Sequence, residues 1–388
     1  MQLWIQARGA ESLAVRNVGR CPLRHNGSRV DSASARPGDT LQLGAELLLL
    51  CLRRPAWVRS LDALSPPMPF GEADPYGVVG ESPVAWELRR RIAFVAARAD
   101  HVLITGESGT GKELAARAVH LLSPRAQQAF VARNAATLPE GLVDAELFGH
   151  VRNYPNMGMP ERPGLVTLAA GGTLFFDEIA ELPVNLQTHL LRVLDHGEYQ
   201  RLGDGAARSS DFRLLAATNQ PDKLRADLAA RLKLTLRLPN LNERLEDVPL
   251  LVKHLLGVIA RANPDIAARL FPDGDVEAAP RVALGFIDQL LRRHYTTNVR
   301  ELEGLIWDAL TNGPEVALDL PPRSIPAPPT PETPPAPRIP PKMVSAEIIT
   351  ATLLENNGSL ELTWRALGLS SRHALSRLMT RYGVTRPK

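Results

Sequence analysis

The run Gly106-Glu107-Ser108-Gly109-Thr110-Gly111-Lys112-Glu113 constrains this chain more than any other feature. It follows the apolar segment "HVLIT" and leads into "LAARAVHLL", so a buried strand, a Gly-rich turn and a helix come in that order. Glycines there let backbone N–H groups turn inward around phosphate oxygens, the helix N-terminus adds a favourable dipole, and Lys112 reaches the terminal phosphates. Position 113 is Glu, where the general pattern has Ser or Thr. A second element, "GGTLFFDEIAEL", carries the apolar run Thr173 to Phe176 up to Asp177 and Glu178. Paired carboxylates at a buried strand end suit phosphoryl transfer: Asp177 to hold Mg²⁺ through water, Glu178 to orient or deprotonate the attacking water. Alone, each element has a bland reading, a Gly-rich turn or a solvated acidic turn. Together they imply a site that uses ATP and Mg²⁺.

At 388 residues the chain exceeds what one core usually organises, and two or three domains are expected. Residues 1–64 show short alternating runs (Leu13, Val15; Leu41, Leu43) separated by Asn26-Gly27 and Pro37-Gly38, the pattern of a small β unit. A Pro-containing connector follows. From residue 76 to 313 strands alternate with helices, which implies an α/β parallel sheet with covering helices. Prolines then clump, making about half of residues 321–341, so 314–342 reads as a semi-rigid extended linker. Cys21 and Cys51 make neither a disulfide framework nor a metal cluster, and a reducing cytoplasm is the expected location. No signal-peptide pattern opens the chain, and the longest apolar run, Leu47 to Leu52, is too short to span a bilayer. No membrane partner is expected.

The basic excess is local: seven Lys/Arg against three Glu from Lys342 onward, while the whole chain carries +3. A polyanion partner for residues 343–388 follows from that. This segment divides into three helical runs. Ser345 would cap "AEIITATLLEN", Asn357-Gly358 would end it, "LELTWRAL" forms the second run, and Gly368 makes the turn before a third run capped by Ser370 or Ser371. In the third run Leu375, Leu378, Met379 and Tyr382 recur at helical spacing and should face the core. Arg372, His373, Ser376, Arg377 and Arg381 are left outward, as a helix-turn-helix presents base-reading and phosphate-pairing groups to DNA. A three-helix protein-binding module is the alternative.

Beyond these motifs, "VGESPVAWELRRRI", "ARNAATLPEGLVDAELFGH", "ATNQ", "LRADLAARLKLTLRLPNLNERLEDVP" and "NVRELEGLIWDAL" run nearly continuously through residues 76–313. On these stretches the segment resembles the AAA+ domain of sigma-54-dependent transcriptional activators. The resemblance implies an AAA+ P-loop sheet with a helical lid, in a homo-oligomeric ring. It implies that Asn219 senses the γ-phosphate and that Asn134 holds Glu178 until substrate engages. Arg225 and Arg231, six apart, would act on a neighbour's ATP, and Arg300 would contact nucleotide in its own subunit. Thr296-Thr297 replace the usual Pro-Gly before Asn298. The stretches "SLAVRNVGRCPLRHNGSRV" and "RPGDTLQLGAELLLL" resemble the second half of a forkhead-associated domain, a β-sandwich. The phosphate-binding Arg and Ser of that family belong to the first half, so the phosphopeptide activity is not carried over and a degenerate packing or regulatory module is expected. The tail is similar to the Fis-type helix-turn-helix of the same activators, with Thr363-Trp364 where a pair of alanines is usual.

The activator family's hallmark is a GAFTGA loop that grips the sigma factor. Aligned between Phe148-Gly149-His150 and Arg162-Pro163-Gly164, this chain has Asn153-Tyr154-Pro155-Asn156-Met157-Gly158 in its place. The contacting aromatic and hydroxyl are replaced by Pro155 and Asn156, with Tyr154 one position away. Two readings stay open. Either the ring remodels sigma-54 RNA polymerase through a variant loop, or the chain is a DNA-binding regulator whose nucleotide is an assembly switch and which acts without sigma-54.

Overall fold

The computed structural model describes residues 2–9, 11–55, 69–138, 141–313, 318, 346–355, 360, 363–364, 367 and 372–384. They belong to two compact units, Met1–Pro321 and Pro322–Lys388. The Ser345, Ser370 and Ser371 caps, the Asn357-Gly358 stop, the Gly368 turn and, apart from Leu318, the 314–342 linker lie outside the described residues.

The first unit opens with two small antiparallel sheets. β1 (Leu3–Arg8), β2 (Ser12–Asn17) and β5 (Ser32–Ala35) form one, in the order β1-β2-β5; β3 (Leu23–His25), β4 (Ser28–Val30), β6 (Thr40–Leu43) and β7 (Leu47–Leu50) form the other, in the order β4-β3-β6-β7. Alternation delivers Val15, Leu23, Ala35 and Leu41 into one shared core. Asn26 and Gly27 make the tight β3–β4 turn.

The central layer is a five-stranded parallel sheet in the order β16-β8-β15-β12-β9. Its elements are α1 (Pro83–Ala96), β8 (Val102–Thr105), α2 (Lys112–Leu121), β9 (Phe130–Asn134), α3 (Val143–Phe148), β10 (Gly149–His150), β11 (Arg162–Pro163), α4 (Leu165–Leu168), β12 (Thr173–Asp177), α5 (Val184–His196), β13 (Glu198–Tyr199), β14 (Arg208–Ser209), β15 (Arg213–Thr218), α6 (Ala226–Arg231) and β16 (Leu234–Arg237). Strand period sorts the core onto two faces. Leu174, Phe176, Leu214 and Ala216 pack with Leu147, Leu165, Leu186, Leu190 and Leu228, while Phe175, Leu215 and Ala217 pack with Leu88, Ile92, Ala115 and Val119. Both faces are covered, which is why β12 and β15 read as continuous apolar runs.

Two long-range capping devices hold α1. Asp247, 1% exposed, accepts from the backbone N–H groups of Glu81 (2.7 Å) and Ser82 (2.8 Å) and from the Ser82 hydroxyl (2.6 Å), and Ser82 in turn caps Ala85 N–H (3.1 Å). At the other end Arg213, 2% exposed, donates to the carbonyls of Val95 (2.8 Å), Ala96 (3.4 Å) and Asp100 (3.1 Å). A cation at a helix C-terminus is favoured by the dipole and satisfies carbonyls that the helix leaves open.

The lid follows: α7 (Val248–Ala262), α8 (Pro264–Leu270), α9 (Leu284–Leu291) and α10 (Asn298–Asn312), closed around Leu256, Phe271, Phe286, Leu290, Leu302 and Ile306. Leu48 and Leu50 of β7 pack against this cluster. Beside them the Thr40 hydroxyl donates to the buried Asp288 carboxylate, which also pairs with Arg292 at 2.9 Å; Arg292 reaches the carbonyl of Asn26 at 3.0 Å. The β unit is thus seated on α9.

In the second unit, helices Ala346–Glu355 and Arg372–Tyr382 share a core of Ile349, Leu353, Leu367 and Leu375, with Leu378 and Met379 against it. One expectation is corrected. Tyr382 is 38% exposed, because the helix ends there and Val384 N–H folds back to Met379 O (3.0 Å), placing Val384 on the core instead. Ser376, Arg377 and Arg381 are exposed; of Arg372 and His373 only the backbone is described. Among the described residues no helix is long and apolar enough to cross a membrane.

Candidate active site

The parallel sheet ends in register at one edge: Thr105 pairs with Thr218, and Asp177 with Asn134. The loop between β8 and α2 wraps this edge, where ligands bind in open parallel sheets. Gly109 (φ +76°) is held open from outside, since a Cβ there would meet the carbonyl oxygen of Thr297 at 2.1 Å. Thr110 steadies the inner turn by donating to Glu107 O at 2.8 Å. The first N–H groups of α2 have no helical acceptors, so they remain for an anion. Lys112 is 7% exposed, with its ammonium donating to the carbonyls of Gly106 (3.2 Å) and Glu107 (3.4 Å). Glu113 points away and pairs with Arg117 at 2.9 Å.

The two acidic residues arrive at the same place. Glu178 Oε1 lies 3.5 Å from Lys112 Nζ, and its Oε2 accepts from Asn219 N–H at 3.4 Å. Glu178 adopts a left-handed backbone (φ +50°), a cost of order 1 kcal/mol that turns it off the strand toward the phosphate loop. Burial, then the neighbouring Glu178 charge, raise the Asp177 carboxyl above its ordinary range, although Lys112 opposes this. A half-buried carboxylate in that state is what a divalent cation would relieve, so the residues fit Mg²⁺ bound by Asp177. Among the described residues there is no cluster of three or more His, Cys, Asp or Glu that could hold an ion without nucleotide.

Asn134 lies opposite Asp177, and its carboxamide oxygen accepts from Ala136 N–H at 2.9 Å; the contacts of Glu178 are with Lys112 and Asn219. Arg300 Nη1 donates to Ser108 Oγ at 2.9 Å, bringing α10 onto the loop. Arg225 and Arg231 flank α6 and pair elsewhere: Arg225 with Asp227 (2.6 Å), Arg231 with Asp195 (2.6 Å). Two residues to which the sequence reading gave no role belong to the site. Asn298 and Asn240 both donate to the carboxylate of Glu107, at 3.0 and 3.2 Å. Asn298 opens the "NVREL" stretch; its spacing to the loop exists only in the fold.

The variant loop rises between β10 and β11. Asn153 N–H bonds Met159 O (2.9 Å), and the Asn153 side chain accepts from Gly158 N–H (2.9 Å), closing a compact tip with Met157 92% exposed. Tyr154 lies over Gly203, where a Cβ would stand 2.6 Å from the ring. Glu161 pairs with Arg201, and Val151 N–H with Leu202 O (3.1 Å), so the 200–207 turn braces the loop.

The family model for the sigma-54 interaction domain matches residues 78–242. The transcriptional regulatory protein ZraR of Salmonella typhimurium is 35% identical over 322 residues, covering 80% of this chain and 70% of that protein. The DNA-binding transcriptional regulator NtrC of Escherichia coli is 41% identical over 255 residues, covering 63% of this chain and 52% of that protein. Among solved structures, NtrX from Brucella abortus in complex with ATP superposes with a TM-score of 0.55 at 28% identity, covering 79% of this chain and 69% of that one. The central domain is an AAA+ ATPase. With its phosphate loop, its acidic strand end and relatives matched over most of their length, the chain belongs to the family of ATP-dependent transcriptional regulators built on the sigma-54 interaction domain.

Proposed function

We propose that this chain is a DNA-binding, ring-forming regulator that uses ATP hydrolysis to remodel sigma-54 RNA polymerase complexes in the cytoplasm. The convergence of Lys112 and Glu178 to 3.5 Å at the Asp177 strand end carries the reading. The backbone of Gly106 to Glu113 and the Lys112 ammonium bind the phosphates, and Arg300 braces Ser108 from the lid. Glu178 takes the proton of the attacking water; Asn219, whose N–H already bonds Glu178, orients the carboxylate toward the γ-phosphate, and Asn134 stands beside Asp177 to take part when it moves. Asp177 would hold Mg²⁺, which would supply charge neutralisation at the phosphates when bound. Arg225 and Arg231, 36% and 53% exposed at the side chain, are offered to a neighbouring subunit's phosphates, which requires a ring.

The domains are assigned as a degenerate forkhead-associated-like module (1–64), the ATPase (76–313), a Pro-rich linker (314–342) and a Fis-type helix-turn-helix (343–388). Exposed Ser376, Arg377 and Arg381 on the last helix support DNA contact. The loop Asn153 to Gly158 is the polymerase-facing element, with Met157 at its tip. The test is open-complex formation on a sigma-54 promoter with polymerase, this protein and ATP: ATP-dependent opening supports the reading, and turnover without opening overturns the polymerase assignment.

A second reading is favoured by one observation, the Pro155-Asn156 replacement in that loop. In it, nucleotide acts as an assembly switch for a DNA-binding regulator. Rings that assemble on ATP and bind DNA while hydrolysing nothing would establish it.

A further inference from the structure

An acidic residue inside a loop that must wrap a polyanion works against binding unless its charge is turned outward and held there. Glu107 is such a residue. Its two carboxylate oxygens are engaged separately, Oε1 by Asn240 Nδ2 (3.2 Å) and Oε2 by Asn298 Nδ2 (3.0 Å). The partners come from different parts of the domain. Asn240 stands in the segment that leaves β16 for the lid and caps the next turn through Glu243 N–H (3.0 Å); Asn298 is the first residue of α10. Asn298 is fully buried, sits at φ +54°, and uses its whole carboxamide: the oxygen accepts from Leu241 N–H at 2.7 Å, and the nitrogen also reaches Ser108 O at 3.0 Å. A strained, fully satisfied, buried amide is a device for fixing geometry. Val299 N–H bonds Gly109 O (3.2 Å), so residues 298–300 grip residues 107–109 along their length.

We propose that Glu107 is a positioning residue for ATP hydrolysis: through Asn298 and Asn240 it couples the seating of α10 to the shape of the phosphate loop, and the two amides keep its carboxylate away from the bound phosphates. Glu107 need not touch nucleotide. When α10 is displaced, the carboxylate is released toward the phosphate side and weakens binding; when α10 is seated, the loop is receptive.

The experiment is an epistasis test in the full chain, reading KM for ATP from phosphate release with Mg²⁺, the affinity for a fluorescent ATP analogue, and thermal melting. Asn298→Asp keeps the acceptor toward Leu241 but sets a second carboxylate against Glu107, and is expected to raise KM by about tenfold. Glu107→Gln alone loses one of two amide contacts and is expected to raise KM by about threefold. Combined, the two changes let an amide face a carboxylate again, so KM of the double variant should fall back to about threefold above the parent. A merely architectural role for Asn298 would lower the folded, active fraction and hence kcat, leaving KM alone and giving no recovery. A double variant as weak as or weaker than N298D overturns the proposal, as does an unchanged KM in N298D. If N298D does not fold, Asn240→Asp, which retains the cap, replaces it with the same expectations. The assay reads ATP alone and does not depend on the polymerase or DNA assignments.

Discussion

Glu178 is held between two donors, the ammonium of Lys112 at 3.5 Å and the backbone N–H of Asn219 at 3.4 Å, so the carboxylate assigned to water activation is oriented from both sides. Replacing it with Gln keeps the size and removes the base. E178Q should bind ATP and lose hydrolysis by about 100-fold or more. Phosphate release beside analogue binding checks this; retained turnover would remove Glu178 from the reaction.

Arg231 is paired with Asp195, and Arg225 with Asp227, whose carboxyl the Arg225 hydrogen bond draws down to about 2. If both arginines serve a neighbour, R231A should turn over ATP about a thousandfold more slowly, alongside the E178Q loss already given. Mixing the two inactive proteins should restore activity, because some interfaces then combine an intact Glu178 with an intact Arg231. No recovery on mixing would place the arginine in its own subunit's chemistry.

Asp177 carries a raised pKa in the fold, from burial first and Glu178 second. A carboxyl raised in this way favours folding fully below its unfolded value, and that contribution is lost as pH climbs through the folded value. At neutral pH the charged Asp177 therefore burdens the fold. D177N should melt higher than the parent near pH 7, with the gap closing toward about pH 4. Adding Mg²⁺ to the ATP-bound protein should raise the Tm of the parent further and leave that of D177N unchanged. Equal Tm values at neutral pH would contradict the electrostatic account.

Arg213 spans from β15 to the end of α1 and satisfies three carbonyls from within the core. Burial draws its guanidinium down to about 10, still charged at neutral pH. Arg213→Met fills much of the space but removes the side-chain donor from the Ala96 and Asp100 carbonyls and leaves Val95 O with only the Arg98 N–H, and should cost about 3 kcal/mol in urea unfolding. A loss under about 1 kcal/mol would show that water replaces it.

Tyr154 occupies the space that Gly203 leaves by lacking a side chain. Gly203→Ala adds a Cβ against the ring and, at φ +77°, strains its own backbone. The 151–161 loop should detach from its brace, and trypsin should cut after the exposed Arg152 about tenfold faster. An unchanged cleavage rate would mean that the Glu161–Arg201 pair and the Val151–Leu202 bond hold the loop without the Tyr154 contact.

The α/β class, the phosphate loop, the Asp177-Glu178 pair and the β unit were all legible in the residues, because their chemistry is local. Glycines, a lysine and a helix start must follow one another directly to cradle phosphate, and a buried strand must be apolar right up to the acids it carries. Tyr382 shows how far periodicity reaches: the 3.6-residue repeat assigned it to the core, while the chain reversal that installs Val384 lies outside any repeat.

What the tertiary structure alone decided are pairings between residues far apart in the chain. Asn298 meets Glu107 across 191 positions, Asp247 meets Ser82 across 165, and Thr40 of the β unit meets Asp288 of the lid across 248. Each joins polar groups that in isolation read as solvated surface, and hydrogen bonds leave no periodic trace in a sequence. They form only once hydrophobic burial has brought the sheet, the lid and the β unit together, and at that point an unpaired buried polar group becomes costly enough to select its partner.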